Sequence, residues 1–95
     1  MSIEQTLKER EEKYGKFKDH SRISQNIKGA MNDGRWGELS SDKKEALELI
    51  AHKIARVLNG DPDYADNWHD IAGYATLVEN SLNKKNTDGQ IRKLR

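Results

Sequence analysis

Apolar residues recur every three or four positions through most of the chain, and this spacing is typical of amphipathic helices. Ser2 and Gln5 have the spacing of a capping box, which places the start of the first helix, and Gly15 is its expected end. A second, shorter helix is predicted to start near Asp19 or Ser21. No strand-like alternation and no repeat interrupts the pattern. The sequence therefore predicts an all-α protein, a compact bundle of about four helices.

The third predicted helix is the central one, because apolar residues cover more than half of its circumference. Ser40 to Asp42 supply its cap, and it ends at Asn59 and Gly60, after which Pro62 prevents any continuation. Three other short helices are too few to cover such a surface. We therefore expect a homodimer formed by helical packing.

The fourth helix is predicted to start near residues 63–67. We expect Trp68 to lie in the core against the third helix, and Gly73 to allow the close approach of another helix. The helical pattern is lost from Lys84 onwards. The chain is therefore divided into a single helical domain, 1–83, and a flexible basic tail, 84–95.

The composition limits what this domain can do. Only 34% of the 95 residues are hydrophobic, which is enough for one modest core. The absence of cysteine excludes a disulfide scaffold, a thiolate zinc site and a cysteine nucleophile. No apolar run approaches the ~18–20 residues that span a bilayer, so we expect no membrane contact and a cytoplasmic location.

Charge is unevenly distributed along the chain. The stretch 61–83 carries five acids and no lysine or arginine, whereas the last twelve residues carry five basic residues and one acid. Clustered positive charge on a folded face is what nucleic-acid binding requires, and here it is confined to the tail. We therefore consider a nucleic-acid partner unlikely and a metal site in the acidic stretch more consistent with the charge.

Two pairs of carboxylates could form this metal site. Glu45 and Glu48 share a stripe on the third helix, and Asp66 and Asp70 are four residues apart on the fourth. If the two helices pair antiparallel, the four side chains predict an oxygen-rich site for Mg²⁺ or Mn²⁺, which could activate water against a phosphoanhydride. The alternative is that these residues are helix caps and solvated charges, as on any charged helix.

The histidines add less. His52 and His69 are candidate accessory residues beside the carboxylates, but no His-x-x-x-His or HExxH spacing supports zinc. His20 is expected to be a surface residue near the start of the second helix.

Three segments of the chain resemble a family of small phage and prophage proteins whose domain has no assigned function. Its recurring features are an early R-x(n)-YG, a central K-I-[AS]-R and a late D-x-W-x-D-I-A-G-Y-A. The corresponding segments here are Glu9-Arg10 with Tyr14-Gly15, Ala51 to Arg56, and Asn59 to Ala75. The layout is similar to that of the all-α NTP pyrophosphohydrolases of the MazG and dimeric dUTPase type.

This resemblance implies an activity. In those enzymes an E-x-x-E motif on one helix and an E-x-x-D motif on a later one bind Mg²⁺. Glu45-x-x-Glu48 would correspond to the first motif and Asp70 to the end of the second, with Lys53 and Arg56 as phosphate-facing cations. Asn67 stands where the pattern has glutamate.

The sequence therefore predicts a phage-type accessory protein that binds or hydrolyses a nucleotide with a divalent metal, in the cytoplasm of the host cell. The alternative is a non-catalytic phage protein that acts by contact with a host factor.

Overall fold

A computed structural model describes residues 2–85 of the chain, which form four α-helices and one short 3₁₀ turn. The helices are α1 (Ile3–Tyr14), α2 (Phe17–Met31), α3 (Ser41–Asn59) and α4 (Ala65–Lys85), with the 3₁₀ turn at Trp36–Glu38. No strand occurs within this part of the chain. The predicted all-α class is confirmed.

The first two helices show how local sequence sets the boundaries. The Ser2 Oγ accepts a hydrogen bond from the Gln5 backbone N–H at 3.1 Å, which is the predicted cap. Gly15 ends α1 with φ +77°, a conformation that glycine adopts without strain. Because the turn is so tight, α2 begins at Phe17, ahead of the predicted start near Asp19 or Ser21.

α3 is the central helix, as predicted. Both α2 and α4 pack along it, and α1 contacts it near its C-terminal end. The residues that α3 buries are Ala46, Ala51 and Ala55. Their small side chains let the neighbouring backbones come close, but they bury little apolar area.

A set of backbone contacts attaches α1 to the turn between α3 and α4. The Asn59 side chain donates to the carbonyls of Tyr14 at 2.9 Å and of Lys16 at 3.0 Å. The Asp61 N–H donates to the Lys13 carbonyl at 2.8 Å. Gly60 lies directly against the backbone of Lys13 and Tyr14. The end of α1 is therefore held by hydrogen bonds and by a glycine contact, since α1 itself buries no residue.

Two predictions for α4 are wrong. Trp68 is 55% exposed, and its indole N–H donates to the Pro62 carbonyl at 2.9 Å. Among residues 2–85, no atom from outside α4's own backbone lies within 4 Å of the Cβ that Gly73 lacks, so none of the other described helices approaches there. The side of α4 that faces α3 is centred on the buried Asn67, and Trp68 lies about 100° around the helix from it.

The predicted tail begins within α4, since Lys84 and Lys85 continue that helix. Residues 86–95 lie outside the described part of the chain. Among the helices that are described, none is both long and apolar enough to cross a membrane.

Candidate ligand groove

A groove of about 540 Å³ opens between α1, α2 and α3. It contains two arginines, two aromatic rings, two histidines and one acid. Its lining residues are Leu7, Arg10, Glu11, Tyr14, Gly15, Phe17, His20, His52 and Arg56. We call this feature the ligand groove.

The two histidines meet at the floor of the ligand groove. His20 Nε2 lies 3.2 Å from His52 Nδ1, and the rings cross edge to face at 82°. His20 is only 5% exposed, so the prediction that it is a surface residue is wrong. Its Nδ1 is buried with no hydrogen-bond partner in the described chain.

Both histidines are held neutral near pH 7. Burial, reinforced by the positive charge of Arg56, lowers the pKa of His52 to about 4. The same two causes lower the pKa of His20. One ring must therefore donate its N–H to the lone pair of the other, since a doubly protonated pair would repel.

Arg56 is held in place over an aromatic ring. Its guanidinium lies 4.0 Å from the centre of the Tyr14 ring, at cation–π distance. Tyr14 in turn packs edge to face with Tyr64 at 6.0 Å. This contact holds the Arg56 guanidinium beside the groove that it lines.

Phe17 forms the rim of the ligand groove. It is 80% exposed, which is unusual for a large apolar ring at the start of a helix. The ring stacks on His20 with 30° between their planes and 6.2 Å between their centres. One flat apolar surface is therefore presented to solvent beside the buried His20 and the half-buried His52.

The four carboxylates of the predicted metal site do not come together as ligands. Asp70 pairs with Lys53 at 2.8 Å, which lowers the pKa of Asp70. Asp66 accepts a hydrogen bond from the Tyr64 hydroxyl at 3.2 Å. Glu45 lines a shallow groove between α3 and α4, nearer the start of α3, and Glu48 is half-buried on that helix. Within residues 2–85, no three histidine or carboxylate side chains are grouped so that they could hold a metal ion.

The remaining predicted site residues divide between two places. Arg56 and His52 line the ligand groove. Lys53 is instead engaged by Asp70, and His69 is exposed on α4. The sequence does not identify Arg10, Phe17 and His20 as groove residues. The one pattern that points to the groove is that Arg10 and Tyr14, four residues apart, share one face of α1.

Comparison with known proteins gives a family and no activity. No curated protein matches the chain, and no solved structure matches it. Residues 3–82, most of the chain, match the family described as a domain of unknown function, DUF6378. Since that match spans all four helices except the end of α4, the chain belongs to the DUF6378 family.

Proposed function

We propose that the protein binds a nucleotide in the ligand groove. The observation that carries the proposal is that two arginines and two aromatic rings open onto the same space of about 540 Å³. This volume lies within the ~300–1,000 Å³ that small-molecule sites occupy. Phosphates need cations and a base needs a flat apolar surface, and the groove offers both.

Arg10 and Arg56 form the phosphate end of the proposed site. A guanidinium binds a phosphate through two parallel hydrogen bonds, and Arg56 is already oriented by Tyr14. Glu11 is the single acid lining the groove, so the two arginines leave it positive while the histidines are neutral. Arg56 is also the phosphate-facing cation that the MazG resemblance implies. Lys53, the other such cation, is paired with Asp70 and faces away.

Phe17 and His20 form the base end. The exposed Phe17 ring can stack on a nucleobase, an interaction that contributes roughly 1–3 kcal/mol per base. The stacked His20 ring holds Phe17 from behind. A ligand that covers Phe17 also removes from water an apolar ring that the folded chain leaves exposed.

The groove has cations and aromatic rings that could bind a nucleotide. The proposal is therefore for binding, without hydrolysis. The metal site that the sequence predicts gains no support here: Asp70 is paired with Lys53, and among residues 2–85 no three histidine or carboxylate side chains are grouped for a metal ion. Metal-dependent pyrophosphate release therefore stays a prediction, and it is tested separately below.

The test is calorimetric titration of the full chain with nucleoside triphosphates in the presence of EDTA, then with Mg²⁺. We expect binding without metal. Arg56→Ala and Phe17→Ala should each weaken it by about tenfold or more, as expected for losing a charge-assisted hydrogen bond or a stacking contact. Arg22→Ala is the matched control, because Arg22 is an exposed arginine of α2 that does not line the groove.

The inorganic triphosphate and the free nucleoside, titrated separately, assign the two ends of the site. Arg56→Ala should affect the first and Phe17→Ala the second. Absence of binding to every nucleotide, or equal losses in Arg22→Ala and Arg56→Ala, would contradict the proposal. An assay of pyrophosphate release with Mg²⁺ or Mn²⁺ in the same samples decides whether bound nucleotide is also hydrolysed.

Contact with another protein is a second candidate function, and α1 is the observation that favours it. Ile3 and Leu7 are both exposed on this helix, which packs loosely on the rest of the chain. Such a helix could lay its apolar residues in a groove of a host factor. Nucleotide titration that gives no heat, together with loss of host-factor capture in Leu7→Glu, would favour this candidate over the first.

A further inference from the structure

Three contacts show which sides of α3 the other helices occupy. His52 meets α2 through His20, Arg56 meets α1 through Tyr14, and Lys53 meets α4 through Asp70. At 100° per residue these three positions lie within about 100° of one another on the helix. Ala51 and Ala55 lie further around α3 and are 1% and 0% exposed, so the neighbouring helices cover those positions too. Among residues 2–85, these contacts leave only the strip opposite Arg56 uncovered.

That opposite side is apolar. Leu47, Ile54 and Leu58 have spacings of seven and four residues, so they form one stripe, centred opposite Arg56. All three are exposed, and Leu58 is 66% exposed. Aliphatic side chains in a row on the central helix of a small domain are normally the best buried residues. Here they face solvent.

α4 extends this stripe into a wider surface. Tyr74 and Leu77 lie on the flank of α4 that forms a shallow groove with Leu49 of α3. Trp68 and Leu82 lie on the other flank of α4, which borders the open side of α3, and both are exposed. We call the combined surface the apolar face; it consists of Leu47, Ile54, Leu58, Trp68 and Leu82.

The area of the apolar face is close to the apolar area that one partner buries in a standard protein–protein interface. At their exposed fractions, the five side chains present on the order of 450 Å² to solvent, as large as the biggest patch on a typical monomer. A standard interface buries ~800 Å² on each partner, of which a little over half is apolar. The apolar face alone would supply that share.

The core of the chain indicates which partner covers this face. The buried hydrophobic residues within residues 2–85 are three alanines, Ala46, Ala51 and Ala55. Their methyl groups bury little apolar area, and larger aliphatic residues such as Ile50 and Val57 are only half-buried. Covering the apolar face would therefore add apolar burial that the single chain lacks. A second copy of the chain is the one partner that is always present in equal amount.

The charges beside the face suit an antiparallel pair of copies. Lys43 and Lys44 precede Leu47 at one end of the stripe, and Asp61 and Asp63 follow Leu58 at the other. If two stripes pack antiparallel about a two-fold axis, the lysines of one copy lie beside the aspartates of the other. A formal net charge of +1 adds little repulsion between copies.

We infer that two copies of this chain pack their apolar faces together, with the α3 helices antiparallel, in an isologous dimer. This dimer is independent of nucleotide binding, because the ligand groove lies on the Arg56 side of α3, away from the face. Each protomer would keep its own groove open to solvent.

The test is sedimentation equilibrium of the full chain across a range of micromolar concentrations, compared with two matched variants. We expect the parent to sediment as a pair of 10.9 kDa chains. Leu58→Glu should weaken the dimer by on the order of a hundredfold or more, because two-fold symmetry buries the new charge twice. Leu77→Glu is the control. Leu77 is equally exposed, at 67%, but it lies on the other flank of α4, so this variant should stay dimeric.

A monomeric parent would overturn the inference, and so would a dimer that Leu58→Glu leaves intact or that Leu77→Glu disrupts equally. Truncation after Lys85 tests whether the last ten residues are what covers the apolar face. A truncated chain that becomes monomeric would also contradict the proposal. If Leu58→Glu fails to fold, thermal unfolding of the parent decides. The Tm of a dimer that unfolds to monomers rises with protein concentration, whereas a constant Tm would overturn the inference.

Discussion

The two sides of α3 differ in how their side chains are used. On the groove side, His52 contacts His20 and Arg56 stacks on Tyr14, so polar and charged groups are held by specific partners. On the opposite side, Leu47, Ile54 and Leu58 are exposed to solvent. The side with fixed polar groups is suited to recognising a ligand, and the apolar side is suited to burial. α3 can therefore contribute to a ligand site on one side and to a protein interface on the other, because its neighbouring helices leave the second side uncovered.

Where α3 is covered by neighbouring helices, a larger side chain should destabilise the fold. Ala55 is completely buried, and Ala55→Leu should destabilise the protein by about 2–3 kcal/mol, because a leucine there forces the helices apart. Urea unfolding monitored by circular dichroism measures this loss. Ala72→Leu on the exposed surface of α4 is the control, and it should change stability by less than about 0.5 kcal/mol. Equal losses in both variants would show that α3 is not closely packed at Ala55.

The groove side depends on the attachment of α1. A Cβ at Gly60 would collide with the Lys13 carbonyl and the Tyr14 backbone, so Gly60→Ala should displace the end of α1. We expect nucleotide affinity to fall by at least tenfold in calorimetry, while α3 and α4 keep their helical signal. The control, Gly73→Ala, places a methyl group in open space and should stabilise α4 by up to ~1 kcal/mol. Unchanged affinity in Gly60→Ala would remove α1 from the proposed site.

The histidine pair should make the groove side sensitive to acid. The folded pKa of His52 is about 4, against an ordinary value of 6.5, so the unfolded chain binds the proton first as the pH falls. The contribution of the neutral His52 to the free energy of unfolding is therefore fully present above about pH 6.5, and it is lost as the pH falls from 6.5 to 4. After burial, the positive charge of Arg56 lowers the pKa of His52 most, and the charges of Lys53 and Lys28 also lower it.

Tm measured between pH 7 and 5 checks this expectation, because most carboxylates titrate below that range. The parent should lose stability across the interval, and His52→Gln should lose much less. His69→Gln changes an exposed histidine and should follow the parent. A parent Tm that is flat from pH 7 to 5 would mean that the pair is not held neutral.

The smallest expected effect is a change in Tm that distinguishes the Lys53–Asp70 ion pair from the predicted metal site. Because Lys53 holds Asp70 at 2.8 Å, Asp70→Asn should lower the Tm slightly at neutral pH. The lowered pKa of Asp70 means that this contribution is present above its ordinary pKa of 3.8 and is lost on acidification. A metal site predicts the reverse: Mg²⁺ raises the Tm of the parent, and Asp70→Asn stabilises the metal-free protein by removing repulsion. Asp66→Asn is the matched control, since the Asp66 carboxylate accepts a hydrogen bond from the neutral Tyr64 hydroxyl.

Local sequence signals predicted the helices well. The Ser2 cap, the turn at Gly60 and Pro62 and the central position of α3 are all encoded by neighbouring residues, and the structure has each of them. The expected burial of Trp68 is wrong because a helical repeat shows which residues share a side of the helix but not which side faces the next helix. Burial on α4 follows Asn67, and a polar residue gives no signal of burial.

The groove could not be predicted from such signals. His20 and His52 are 32 residues apart, and Asn59 reaches 45 residues back to the Tyr14 carbonyl. These contacts depend on how α1 and α2 fold back onto α3, which no local spacing encodes. Likewise, the stripe of Glu45 and Glu48 suggested a site, but the side chain that Asp70 meets is Lys53.

The most direct test of the two-sided account is to map nucleotide binding by NMR on the ¹⁵N-labelled full chain. The account predicts that a nucleoside triphosphate, added without metal, shifts the amide signals of Tyr14, Phe17, His20, His52 and Arg56. The signals of Leu47, Ile54 and Leu58 should stay unchanged. Shifts at Glu45, Glu48 and Asp66 that appear only with Mg²⁺, with the groove signals unmoved, would contradict the account and favour the carboxylate site.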